Sequence, residues 1–165
     1  MAWSIVSPQI GSYQAIDEVS TTQKHPFGFR VWAEDPTYGV AEFVYVKGVA
    51  SVIATDWCTI AEDWALVRLV ADAVGNVCIA MAAIDAATDY GWACIYANTI
   101  AGGSGGAITD GAKIYAHGTA GLVDDAVVDG DMVHNAITRS TISGAAITGR
   151  FQIYYPYNDD IAGND

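Results

Sequence analysis

Apolar and polar residues alternate in short stretches along most of this chain, which is the period of a strand with one buried face. The first clear case is 27–32, where Phe27, Phe29 and Val31 alternate with the residues between them. Further strand candidates follow at 41–47, 50–60, 64–70, 77–84, 90–100, 112–117, 133–139 and 145–155. Turn signals rich in glycine, such as Asp110-Gly111 and Asp129-Gly130, separate them. The pattern predicts a mainly β protein, closed or sandwich-like.

Four segments depart from this pattern. The alanine-rich stretch 80–87 is a candidate for a short helix as an alternative to a strand, because alanine has the highest helix propensity. The glycine-rich stretch 102–106 is predicted to be a flexible loop tip. Residues 1–26 keep no period and predict an extended N-terminal arm, while 158–165 form an acidic C-terminal tail. One β domain, 27–157, lies between these ends.

Charge and hydrophobicity narrow the possible partners. The chain has 165 residues with 7 Lys and Arg against 19 Asp and Glu, a net charge of −12, so its field repels nucleic-acid backbones. The hydrophobic fraction is 52%, yet no run approaches the roughly 18 apolar residues of a membrane helix. We therefore expect neither nucleic acid nor membrane as a partner. The excess of apolar residues favours oligomerisation, because partner subunits could cover part of it.

The cysteines and the N-terminus indicate the compartment. Cys58, Cys78 and Cys94 are odd in number, form no C-x-x-C pair and lie in apolar stretches. We interpret them as small buried hydrophobic residues in a reducing environment. Residues 1–11 have neither a basic region nor an apolar core of a signal peptide. The prediction is synthesis and residence in a cytoplasm.

The catalytic motifs are sparse. Gly102 to Gly106 match G-x-S-x-G, but a nucleophile elbow needs a following helix, and 107–111 is turn-like. Glu34 and Asp35 are adjacent in sequence, as are Glu62 and Asp63, so neither pair converges on one bond if those segments are extended. We expect no enzyme and no catalytic residue.

Metal and carbohydrate sites are also weakly indicated. His25, His117 and His134 are scattered, and the acidic cluster of Asp124, Asp125, Asp129 and Asp131 lacks EF-hand spacing, which favours a solvated turn. We expect no metal and no cofactor. The aromatic residues of the strand patterns are interpreted first as core or interface packing, with a carbohydrate platform as the alternative. They are Trp57, Trp64, Trp92 and Tyr96.

One segment carries a family resemblance. Residues 42–51, EFVYVKGVAS, resemble the EF-x-Y-x-KGVAS segment of short virion proteins of tailed phages and prophages. Further pieces of this family resemblance follow the same order along 20–135. They are Asp35-Pro36-Thr37-Tyr38-Gly39, Thr55-Asp56-Trp57, Gly75-Asn76-Val77-Cys78-Ile79-Ala80-Met81 and Tyr90-Gly91-Trp92-Ala93-Cys94-Ile95. The chain resembles a tailed-phage head decoration, or capsid cement, protein.

This resemblance implies a fold, a partner and a place. The fold would be the small β-barrel or tulip-like domain of trimeric decoration proteins, and the oligomer a homotrimer. The partner would be the major capsid protein, bound on the outer surface of the virion after assembly in the host cytoplasm. We expect the N-terminal arm to dock on the capsid through scattered anchors, Trp3, Ile5, Val6, Ile10, Tyr13 and Ile16. The alternatives are a carbohydrate- or receptor-binding virion module and a small hydrolase.

Overall fold

Eleven strands make up the regular structure of the part of the chain that the structure describes. A computed structural model describes residues 3–6, 14–144 and 147–161. The strands are β1 Ser4–Ile5, β2 Arg30–Asp35, β3 Gly39–Lys47, β4 Trp57–Ile60, β5 Leu66–Arg68, β6 Gly75–Ala80, β7 Tyr90–Ser104, β8 Lys113–Ala116, β9 Val123–Asp124, β10 Met132–Thr138 and β11 Ile147–Asn158. The described residues contain no helix, so the mainly β prediction is confirmed and the helix alternative at 80–87 is wrong. Accordingly, no helix in these ranges could span a membrane.

All eleven strands belong to one sheet, organised around β7. The strand order is β1-β2-β3-β7-β9-β8-β10-β11-β6-β4-β5, and β7 pairs in addition with β6 and β11. The long β7 can hold several partners because different parts of its 15 residues pair with different strands. Its first half is bonded to β3 and β6, and its second half to β11 and, in parallel, to β9. β7 therefore pairs with four strands, β3, β6, β9 and β11, and links distant positions of the strand order.

Two hydrophobic clusters lie on opposite faces of this sheet. Trp92 and Cys94 of β7 point into the larger cluster, while Ala93 and Ile95 point into the smaller one. Successive side chains of a strand alternate between faces, so a strand buried on both sides loses the apolar and polar alternation. This is why 90–95 is a nearly continuous apolar run in the sequence.

The first three residues of the glycine-rich stretch, Gly102 to Ser104, are part of β7, which corrects the prediction of a loop tip for this part of 102–106. Gly102, Gly103 and Ser104 are buried and pair with the first residues of β11. A Cβ on Gly102 would stand 2.9 Å from the Phe151 ring and 3.0 Å from Trp57 Nε1. The glycines are needed because large neighbouring side chains occupy the space beside the strand.

The described parts of the N-terminal segment, 3–6 and 14–26, are packed on the body, contrary to the prediction of a separate extended arm at 1–26. Ser4–Ile5 pair with β2, and Trp3 and Ile16 both belong to the larger core cluster. Gln14 is also completely buried. Two of the side chains predicted to anchor an arm, Trp3 and Ile16, instead belong to this protein's own core.

One long predicted strand is mostly irregular. Of 50–60 only Trp57–Ile60 form a strand. Ser51 and Thr55 both have φ of 74°, a left-handed conformation that interrupts a strand, and the Asp56 carboxylate accepts a hydrogen bond from the Ile53 amide at 3.0 Å. Short local bonds of this kind compete with strand pairing.

Candidate functional site

Ser104, the centre of the G-x-S-x-G match, is placed inside β7. Its side chain has no exposed surface, and its hydroxyl donates a hydrogen bond to the Gly106 carbonyl oxygen. A nucleophile elbow places the serine on a sharp turn between a strand and a helix, where its Oγ is accessible. The strand position and the burial of Ser104 do not provide that geometry.

The paired carboxylates serve local structure. Asp35 is buried and accepts hydrogen bonds from the Thr37 and Tyr38 amides, which closes the turn after β2. Glu34 is exposed, so this pair points to opposite faces as predicted. Asp63 pairs with Lys47 at 2.7 Å, and that contact lowers the pKa of Asp63.

The acidic cluster is divided among separate partners. Asp125 accepts a hydrogen bond from the Thr109 amide, and Asp131 accepts one from the Asp72 amide at 2.7 Å. Asp124 lies 3.8 Å from His117 Nε2. Within the described ranges, no group of three His, Cys, Asp or Glu side chains is arranged to hold a metal ion.

The cysteines lie where the sequence predicted. Cys58, Cys78 and Cys94 are free and buried. Burial raises the pKa of each thiol above its usual range. The thiolate is the reactive form of cysteine, so these side chains are structural.

The four strand aromatics divide into two groups. Trp57 and Trp92 have no exposed surface, which confirms the core interpretation for them. Trp64 is 36% exposed, and Tyr96 lies on the outer face of the sheet, half-buried among other rings. Trp64 and Tyr96 therefore lie outside the two core clusters, and interface packing stays a prediction for both.

Four aromatic side chains form one exposed surface, which we call the aromatic face: Trp32, Tyr96, Tyr154 and Tyr155. The Tyr96 ring lies 5.7 Å from Trp32, 4.8 Å from Tyr154 and 5.4 Å from Tyr155, measured between centroids. The other three rings are each more than one third exposed. Aromatic pairs at such distances stabilise one another, so the surface is held in one arrangement.

Backbone strain places Tyr155 on this face. Its φ of 51° is left-handed, which is costly for a bulky residue, and Asn135 opposite it in β10 has φ of 60°. The β10–β11 register shifts at this point, as in a β-bulge. The bulge turns two consecutive tyrosines, 154 and 155, toward Tyr96. Sequence periodicity cannot show a bulge, because the extra residue only appears in the pairing.

A charged pair lies beneath the Tyr155 ring. The Tyr155 hydroxyl donates a hydrogen bond to Glu42 Oε2 at 2.5 Å, and this bond raises the pKa of Tyr155. Arg30 Nη1 lies 3.7 Å from Glu42 Oε1, and its guanidinium lies 5.9 Å from the centre of the Tyr155 ring. The ring is thereby fixed between an acid and a cation.

A cleft of about 380 Å³ opens beside the aromatic face, and we call it the Trp64 cleft. Its rim and walls include Trp64, Tyr155, Arg30, Glu62 and Asn76. Its floor is apolar and is formed by core residues, among them Val44 and Ile95. This volume lies within the usual range of small-molecule sites.

The Trp64 side chain is held by its surroundings. The residue has φ of 65° in the β4–β5 turn, and its carbonyl oxygen accepts a hydrogen bond from the Lys47 amide at 3.1 Å. A Cβ on Gly28 would stand 2.6 Å from the Trp64 ring, so the ring packs directly on this glycine. In the sequence, Trp64 directly follows Asp63. The contact between the Trp64 ring and Gly28 depends on tertiary structure, so the local sequence does not show it.

Exposed aliphatic side chains gather at another place, which we call the valine end: Val70, Val74, Val127, Val128 and Ile161. Each is at least 45% exposed, and Val127 reaches 71%. The bond between the Asp72 amide and the Asp131 carboxylate joins the two valine-bearing loops. Gly130 lies close to Asp160, which brings Ile161 to the same region.

The predicted arm anchors are distributed differently. Trp3 and Ile16 are in the core, Ile5 is partly buried against it, and Val6 is 50% exposed. Ile10 and Tyr13 lie outside the described residues. The described part of the set does not form a common surface.

Comparisons with family models, with curated proteins and with solved structures found no match.

Proposed function

We propose that this chain is a structural protein of a tailed-phage virion that binds the outer surface of the icosahedral capsid and stabilises it. The partners are the major capsid protein and further copies of the chain, as a homotrimer. The sequence resemblance along 35–95 supports this proposal. The finer architecture, a small β-barrel or tulip-like domain or a sandwich, belongs to the same proposal.

The observation that carries the proposal is the valine end. Five aliphatic side chains are exposed on three segments, which the contact of Asp72 with Asp131 and that of Gly130 with Asp160 hold near one another. Aliphatic groups release roughly 25 cal/mol per Å² when they leave water, so such an end favours a macromolecular partner. A protein that acts by surface contact needs no further chemistry.

Stabilisation would follow from mass action. A protein that binds only the expanded shell stabilises that state by RT ln(1 + [L]/Kd), which is about 2.7 kcal/mol per site at a hundredfold excess over Kd. The contribution repeats at every equivalent site of the lattice. Reinforcement of the particle is the sum of these site contributions.

The N-terminal segment has a reduced part in this proposal. Its buried anchors, Trp3 and Ile16, would have to leave the core before they could contact a capsid. Val6 is the described anchor with the largest exposed fraction. We therefore place the principal contact at the valine end.

The test uses expanded heads assembled from the major capsid protein of the same genome without this chain. Purified protein is added at limiting concentration, and occupancy is measured by co-sedimentation. Val74→Asp with Val127→Asp should lower occupancy at least tenfold, because two carboxylates would have to be desolvated at the contact. Tenfold corresponds to about 1.4 kcal/mol of binding free energy.

The matched control is Val40→Asp, because Val40 is 49% exposed but lies outside the valine end. It should bind like the unchanged protein. Equal occupancy by all three proteins would contradict the valine end as the contact. Absence of binding by the unchanged protein would contradict the decoration function itself.

A second candidate function is a carbohydrate- or receptor-binding virion module. The observation that favours it is the Trp64 cleft, which combines an exposed indole with polar side chains at its rim. The two functions are compatible, since the valine end and the cleft share no residue.

A further inference from the structure

We infer that the Trp64 cleft is a binding site for a neutral carbohydrate, engaging one or two pyranose rings. This inference goes beyond capsid decoration and does not depend on it. It rests on a preformed cleft, on the chemistry of its rim and on the way in which Trp64 is held.

The aromatic walls suit the apolar face of a sugar. Trp64 and Tyr155 both line the cleft and are 36% and 48% exposed. An aromatic ring carries negative potential on its face, which attracts the weakly positive C–H groups on one side of a pyranose. The apolar floor at Val44 and Ile95 extends this contact inward.

The polar side chains at the rim suit hydroxyl groups. Asn76 offers an amide, Glu62 a carboxylate and Arg30 a guanidinium, so the rim provides both donors and acceptors. No described residue forms a hydrogen bond or ion pair with the side chains of Glu62 and Asn76, and both residues are exposed. A hydroxyl both donates and accepts, and so it can use all three groups.

The charge of the rim argues against an ionic ligand. Arg30 and Glu62 carry opposite charges, and the Glu42 carboxylate lies 3.7 Å from the Arg30 guanidinium. At the rim itself an anion would meet the Glu62 carboxylate, and a cation would meet the Arg30 guanidinium. In a chain of net charge −12, this balanced rim favours an uncharged, hydroxyl-rich ligand.

The site is organised before a ligand arrives. The Lys47–Asp63 ion pair and the bond from the Lys47 amide fix the turn that carries Trp64, and Gly28 supports the ring. Glu42 fixes Tyr155 on the opposite side. Preorganised side chains lose little entropy on binding, which is the condition for useful affinity from a small contact.

The experiment is a titration of the full chain with three neutral probes, maltotriose, cellotriose and N,N′,N″-triacetylchitotriose, followed by isothermal calorimetry and by tryptophan fluorescence. We expect at least one probe to bind with a Kd in the range of about 0.1 to 1 mM, typical of a small open site. Trp64→Ala should weaken that binding at least tenfold. Asn76→Ala should weaken it several-fold, and its exposed side chain makes it safe for folding.

The matched control is Trp32→Phe, since Trp32 is 38% exposed, like Trp64, but does not line the cleft, and phenylalanine keeps an aromatic ring beside Tyr96. It should retain the affinity of the unchanged protein. No binding of any probe at 10 mM would overturn the inference, as would equal weakening by Trp32→Phe and Trp64→Ala. The capsid experiment uses different variants, so a failure there would leave this result standing, and the reverse is also true.

Discussion

The His25 side chain shows how a single polar residue can be enclosed by aromatic ones. Its ring lies between 5.1 and 5.3 Å from the rings of Phe29, Tyr45 and Trp92, and its Nε2 is buried without a hydrogen-bond partner among the described residues. Burial, followed by the charge of Lys24, lowers the pKa of His25. The neutral imidazole is therefore the form that the folded protein accepts.

We predict that the free energy of unfolding decreases as the pH falls from 7.5 to 5.5. A lowered pKa means that the unfolded chain binds the His25 proton more readily than the folded chain, so acid favours unfolding in this window. Glu18, whose pKa is lowered by Lys24, loses its contribution only below its usual pKa of 4.5 and so acts in a different window. Urea midpoints at several pH values measure the effect.

The variant His25→Phe provides the control for this prediction. Phenylalanine keeps an aromatic ring in the same surroundings but cannot bind a proton, so the decrease between pH 7.5 and 5.5 should become smaller. An equal decrease in both proteins would show that other groups cause it.

The N-terminal segment behaves as an element of the core. Gln14 donates hydrogen bonds to the Glu18 and Tyr90 carbonyl oxygens, both at 2.7 Å, and accepts one from the Tyr45 hydroxyl at 2.8 Å. Its own carbonyl oxygen accepts the Trp92 Nε1–H at 2.9 Å. Removal of this segment would leave buried polar groups of β3 and β7 without partners.

We predict that deletion of residues 1–20 unfolds the protein. Truncation of a buried Trp costs about 3 to 5 kcal/mol and that of a buried Ile about 2 to 5 kcal/mol, so the loss of Trp3 and Ile16 alone approaches the total stability of a typical domain. Circular dichroism and thermal melting measure the outcome. A cooperative melt at the temperature of the full chain would contradict the prediction and restore a dispensable arm.

Two point variants in the same segment test whether the burial of a side chain determines its contribution to stability. Trp3→Ala should lower the melting temperature strongly, while Val6→Ala should change it little, because Val6 is half-exposed. Similar effects of both changes would indicate that exposure does not govern the contribution of this segment.

At the scale of the whole molecule, exposed apolar side chains occur on several surfaces besides the valine end. They include Phe29, Val40 and Ile53, each at least 37% exposed. Large apolar patches on a small protein favour association, and closed cyclic symmetry satisfies every copy of a contact.

We predict that the isolated protein is a homotrimer. Sedimentation equilibrium in the micromolar range should give three times the chain mass of 17.4 kDa. The mass of a single chain over the whole range would contradict assembly in solution and leave trimer formation to the capsid surface.

Local patterns determined the class of this fold and several of its strands. The predicted strand at 133–139 agrees closely with β10, and those at 41–47 and 112–117 match β3 and β8 within two residues at each end. Alternation, apolar runs and glycine turns act between near neighbours, so a single sequence contains them. The burial of the three cysteines followed from their apolar surroundings for the same reason.

The candidate site depended on contacts between residues far apart in sequence. Gly28 supports Trp64, the bulge of β10 and β11 exposes Tyr155, and Glu42 bonds Tyr155 across 113 positions. The same limit explains the errors at 1–26 and 102–106. The packing of distant strands decides whether Trp3 binds a partner or fills the core. It also decides whether Gly102 is free or in contact with Phe151. The local alternation of apolar and polar residues contains no information about that packing.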